Sequence, residues 1–209
     1  MAANYVVLAA LCGLALLVYI GWVRHARNRY LDSFVFPEGL RRKLREARPE
    51  ITREQENLVF DALREYFHLC RLAGKRFVSM PSQVVDDAWH AFILFTRGYD
   101  HFCRCALGRF LHHTPAEAIT SPTIAQEGIK RAWNLACRRE GIDPKAPVRL
   151  PLLFAIDGML GIAEGFHYQL RCDPGAGASG YCASHIGCGS CGGGCGGDSS
   201  CGGGGCGGD

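Results

Sequence analysis

Tyr5 to Val23 is an unbroken run of 19 residues without a charged or strongly polar side chain. As a helix rising about 1.5 Å per residue it is about 28 Å long, close to the thickness of a bilayer's hydrocarbon core. Tyr5 stands at one end, with Tyr19 and Trp22 near the other, where interfacial aromatic rings belong. A cleaved signal peptide would carry basic residues before the run and a small-x-small cleavage site after it. Here only the α-amine precedes it, and Gly21-Trp22-Val23-Arg24-His25-Ala26-Arg27 follows. The expectation is a single transmembrane anchor. Arg24, Arg27 and Arg29 sit directly after it, so the positive-inside rule puts the C-terminal side in the cytoplasm. Thiols there stay reduced, which favours metal binding over disulfides.

The remaining chain divides by composition. Residues 1–29 form the anchor and its basic flank, 30–171 a helical domain, and 172–209 a tail holding 16 of the 27 glycines. Basic residues continue through Arg41, Arg42, Lys43, Arg45 and Arg48. Anionic lipid headgroups and a solvated helix face with i,i+4 pairs are equal readings of that stretch.

The domain reads as all-α. Thr52 and Gln55 have capping-box spacing, and Leu58, Val59, Ala62, Leu63, Tyr66 and Phe67 continue as an apolar stripe that Gly74 stops. Pro81-Ser82 opens a helix whose buried face is Val85, Trp89, Phe92 and Ile93. Further helices are expected over about 97–107, ending at Gly108, over 123–140, ending at Gly141, and from Pro151 to Leu160. Only Phe166–Leu170 could pass for a strand.

Asp86 and His90 are four apart, so they share a helix face. A turn at Gly108 could bring His112 or His113 beside them, making two imidazoles and a carboxylate, a set suited to zinc or another transition metal with a position left for water. Asp157 follows the apolar Leu152-Leu153-Phe154-Ala155-Ile156, where an unpaired carboxylate would be costly, and could orient a ligand histidine. Cys103 with a histidine base is the nucleophilic alternative, although nothing marks a lowered thiol pKa.

The block Pro81-Ser82-x-x-Val85-Asp86-x-x-Trp89-His90, then Tyr99-x-x-Phe102-Cys103, then Gly108-x-x-Leu111-His112-His113, resembles the signature of the glycine-rich domain-containing protein-like family, bacterial members above all. The resemblance implies a helical domain and a recurrent Asp/His/Cys set rather than an activity. Where many eukaryotic members carry a second histidine, this chain has Phe92.

In the tail, Cys188, Cys191, Cys195, Cys201 and Cys206 are spaced among glycines with almost no apolar side chain, so disorder is expected unless something binds. Flexible thiols can wrap a soft metal, and Cys188-x-x-Cys191 is the best-spaced pair. From sequence alone the favoured reading is a non-enzymatic membrane-anchored protein with a possible protein partner and a metal-binding tail. The alternatives are a metal-dependent enzyme using the Asp/His set and a membrane scaffold whose tail is modified. Nucleic-acid binding is not expected, because the basic residues cluster beside the anchor and no phosphate-cradling glycine loop precedes a helix.

Overall fold

The computed structural model describes residues 2–114, 122–170, 181–183 and 186. Among the described residues seven helices carry the fold: α1 Ala2–Ser33, α2 Glu38–Ala47, α3 Arg53–Ala73, α4 Gln83–Ile93, α5 Thr96–Ala106, α6 Pro122–Arg139 and α7 Leu152–Leu160. A parallel pairing of β1 Tyr168–Gln169 with β2 Tyr181–Cys182 is the one sheet among the described residues. The all-α expectation holds, and β1 falls inside the segment that could pass for a strand.

The helix boundaries follow local chemistry. Thr52 Oγ1 accepts from Gln55 N–H at 3.3 Å and Gln55 Oε1 accepts from Thr52 N–H at 2.7 Å, which closes the capping box of α3. Gly74, Gly108, Gly141 and Gly161 follow α3, α5, α6 and α7 with φ between 64° and 72°, a backbone region in which a Cβ is strained.

α1 is one continuous helix of 32 residues, longer than the apolar run. Side chains from Asn4 to Trp22 are exposed, whereas Leu31 is buried. Asn4–Ser33 is long and apolar enough to cross a membrane and fits a single-pass anchor. The helix passes unbroken through residue 29 into the domain, so the two are joined without a flexible linker.

α3 lies at the centre, packed by α1, α2, α4, α6 and α7. Phe102 of α5 meets Phe34, the residue after α1, at 4.7 Å and Phe67 of α3 at 4.8 Å between ring centroids, which holds the three helices together. A second nucleus joins α6 to α7 through Trp133 and Phe154 at 5.1 Å. The basic stretch on α2 is largely absorbed by ion pairs within the fold. Arg41 and Arg45 each reach the buried Glu56 at 2.7 Å, and Arg48 reaches Asp87 at 2.6 Å. These pairs are tertiary, unlike the i,i+4 pairs of one of the two readings of this stretch, because Glu56 lies on α3 rather than on α2.

His68 on α3 is buried, with Nε2 2.9 Å from Asp32 and Nδ1 lacking a partner among the described residues. Burial pushes its imidazole below the ordinary value, Arg139 acts in the same direction, and Glu65 and Asp32 partly oppose them. The folded state therefore binds this proton less readily than the unfolded one. Stability is full above the ordinary histidine value of about 6.5 and is lost as pH falls from there toward the lower folded value. The melting temperature of the full chain in detergent should fall between pH 7.5 and 5.5, and less steeply for His68→Gln. Equal slopes would refute this assignment.

Candidate metal centre

α4 carries two of the candidate ligands, and its start is fixed from both sides. Ser82 is its N-cap, its Oγ accepting from Val85 N–H at 3.3 Å. Asp157 reaches the same helix end from α7. Its Oδ1 accepts from Ser82 Oγ–H at 2.7 Å and Val84 N–H at 3.3 Å, while Oδ2 accepts from Gln83 N–H at 2.7 Å and Phe166 N–H at 2.8 Å. A buried carboxylate is thus satisfied by four donors at the positive end of a helix. Gly165 makes the approach possible, since a Cβ there would lie 2.6 Å from the Asp157 Cβ.

The third ligand is set by a hydrogen-bond relay. Trp89 Nε1–H donates to Tyr99 Oη at 3.0 Å, and Tyr99 O–H donates to the Leu111 carbonyl at 2.6 Å. This ties the chain after α5 to α4 and fixes the backbone two residues before His113. The Trp89 ring also packs edge-on against the His113 ring at 4.6 Å. Trp89 and Tyr99, prominent in the signature block, thus act as positioning residues.

The outcome is a cluster of Asp86, His90 and His113, each offering one ligand atom, all within 4.8 Å of one another. The two imidazoles lie against each other, ring centroids 4.1 Å apart, and Asp86 reaches both: Oδ1 is 3.1 Å from His113 Nε2, and Oδ2 is 3.6 Å from His90 Nδ1. Ligand atoms about 2.0–2.1 Å from a tetrahedral ion are separated by roughly 3.3 Å, and the two spacings to Asp86 bracket that value. His113 is 14% exposed and His90 51%, so the cluster has a sheltered side and an open one. It lies in the wall of a cleft of about 710 Å³.

Of the other residues expected at a site, His112 is exposed and stacks edge-on with Phe110 at 4.8 Å, outside the cluster. His112 also lines the cleft, but its ring lies on Phe110 and only His113 reaches Asp86. Asp157 makes no hydrogen bond to a histidine among the described residues. The ligand-orienting role expected of it gives way to capping α4, because its four acceptor positions are already taken. Cys103 is buried, which pushes its thiol pKa up and disfavours a thiolate nucleophile. Cys188, Cys191, Cys195, Cys201 and Cys206 lie outside the described residues. Sequence reasoning missed the basic side of the cleft, Lys75, Arg76 and Arg109. The available signal was their position, each just after a helix-stopping glycine.

A family model described as UCP032817-like matches residues 26–186 of the 209-residue chain. The chain belongs to the UCP032817-like family. No curated protein and no solved structure matches it. The UCP032817-like region begins just after the apolar run and includes all three members of the Asp/His cluster, Asp157 and the relay through Tyr99. The uncharged part of α1 and the last five tail cysteines fall outside it.

Proposed function

We propose that this chain is a membrane-anchored, metal-dependent enzyme whose site is the Asp86/His90/His113 cluster. The observation carrying this reading is that the three ligand atoms converge within 4.8 Å in the wall of a cleft. Two imidazoles and a carboxylate leave coordination positions open, and a divalent ion held there would lower the pKa of a bound water and supply a nucleophile for hydrolysis. His113, backed by Trp89, would be the fixed ligand, and the half-exposed His90 would face substrate. α1 would cross the bilayer once, with the domain cytoplasmic, as Arg24, Arg27 and Arg29 favour. Metal binding by the tail cysteines is a separate proposal resting on composition. Kinship with the glycine-rich domain-containing protein-like family likewise rests on the Pro81–His113 block.

Cobalt(II) added to the chelator-treated full chain, in reducing buffer, distinguishes nitrogen and oxygen ligands from thiolates. The visible bands of a low-coordinate nitrogen/oxygen site should saturate at one ion per chain and vanish in His90→Ala. A thiolate-to-cobalt charge-transfer band that survives in His90→Ala, with no nitrogen/oxygen bands in the unmodified chain, would place the ion on the tail and overturn the proposal.

A further inference from the structure

The basic side chains packed against the helical core differ from those that line the cleft. Arg41, Arg45, Arg48, Arg64, Arg139 and Arg149 are paired with carboxylates. Lys75, Arg76 and Arg109, which line the cleft, have no carboxylate partner among the described residues. Uncompensated cations at the edge of a cleft call for an anion.

Packing against α1 shows where those cations sit. α3 runs antiparallel to α1: Arg64 Nη2–H donates to the Phe34 carbonyl just after α1 at 2.9 Å, and one turn further along α3 His68 meets Asp32, an earlier residue of α1. Arg71, nearer the end of α3, lies in the repulsive field of Arg27 and Arg24. α5 is antiparallel as well, with Phe102 against Phe34 and Tyr30, and the Arg27 guanidinium close against Gly108. The ends of α3 and α5, with Gly74, Lys75, Arg76 and Arg109 after them, therefore face the apolar half of α1. Arg109 also donates to the Gly74 carbonyl, closing the two ends into one rim. Arg27 is five residues beyond Trp22, about 7–8 Å along the helix, which is the depth of a headgroup layer. Leu72 and Phe110, 43% and 39% exposed, flank this rim as apolar side chains that a membrane interface would cover.

We infer that the cleft is loaded from the membrane, the rim of Lys75, Arg76 and Arg109 seating the phosphate of an anionic lipid headgroup. The inference rests on α1 crossing the bilayer, and it gives the proposed enzyme its substrate class, a phosphate-bearing lipid. The same geometry explains why α1 enters the domain without a break. A rigid joint holds the rim at headgroup depth, where a flexible linker would not.

The test titrates the full-length protein in neutral detergent micelles with a short-chain phosphatidic acid, the matching phosphatidylcholine and inorganic phosphate, followed by calorimetry. Phosphatidic acid should bind at least about ten-fold more tightly than either of the others. The double variant Lys75→Gln/Arg76→Gln, both positions being exposed, should lose roughly 30-fold. Arg138→Gln/Lys145→Gln removes the same charge at exposed positions away from the cleft and should change binding less than about two-fold. Equal losses from the two variants would mean general attraction and overturn the proposal, as would inorganic phosphate binding as tightly as the lipid. His90→Ala separates this proposal from the metal reading, since lipid binding should survive in it while metal is lost. Rim-dependent lipid binding in a protein that never holds metal would refute the metal reading alone. Metal without rim-dependent lipid binding would refute this one alone.

Discussion

Replacing Asp157 with alanine should destabilise the protein by about 3–5 kcal/mol, the range for stripping one partner from a buried charge network. The buried carboxylate accepts from four donors, three of them on Ser82, Gln83 and Val84 at the start of α4. Removing it strands those donors in a space closed to water and deletes a negative charge at the positive end of a helix. Asp157→Asn keeps the shape but turns an amide toward N–H donors, so it should lose a large part of the same energy. Chemical denaturation of the full chain in detergent measures both. A loss below about 1 kcal/mol in the alanine variant would show that Asp157 is not what holds α4. The damage should reach the site, because Asp86 lies in the first turns of α4 and moves with its cap.

His113→Ala should weaken metal binding by more than about 100-fold, beyond the 10–100-fold usual for losing an outer-shell partner. The effect should be confined to metal. Without an ion, His113 contributes one hydrogen bond to Asp86 and ring packing on Trp89, so the metal-free melting temperature should move little. Excess metal should raise the melting temperature of the unmodified protein and leave that of the variant unchanged, because an ion stabilises only the form that binds it. His112→Ala is the matched control and should behave like the unmodified protein, since His112 packs on Phe110 and is not a member of the cluster. Equal losses from His112→Ala and His113→Ala would contradict the assignment.

Much of the fold was legible from local signals. The capping box at Thr52, the serine at 82, Pro151 and the glycines at 74, 108 and 141 place helix ends within about two residues of those observed, because each acts on backbone groups a few residues away. Asp86 and His90 were legible as neighbours for the same reason. The choice between His112 and His113 was not. It depends on the Leu111 carbonyl being held by Tyr99, which is held in turn by Trp89. Asp157 looked like a residue needing partners, and it has them, but three of the four lie about 75 residues away at the start of α4, beyond any periodic pattern. Arg41, Arg45 and Arg48 looked like a solvated or lipid-facing stretch because the acids that neutralise them, Glu56 and Asp87, lie on α3 and α4. Lys75, Arg76 and Arg109 gained meaning only when α3 and α5 were seen to end together beside α1.

The most direct test of the central claim is elemental analysis of the purified full chain in detergent, under reducing conditions. Three forms suffice: the unmodified protein, His113→Ala, and a variant with Cys188, Cys191, Cys195, Cys201 and Cys206 all changed to serine. A metal centre in the helical domain requires one equivalent of transition metal in the first and third forms and none in the second. Metal retained by His113→Ala but lost from the serine variant would contradict it and place the ion on the tail.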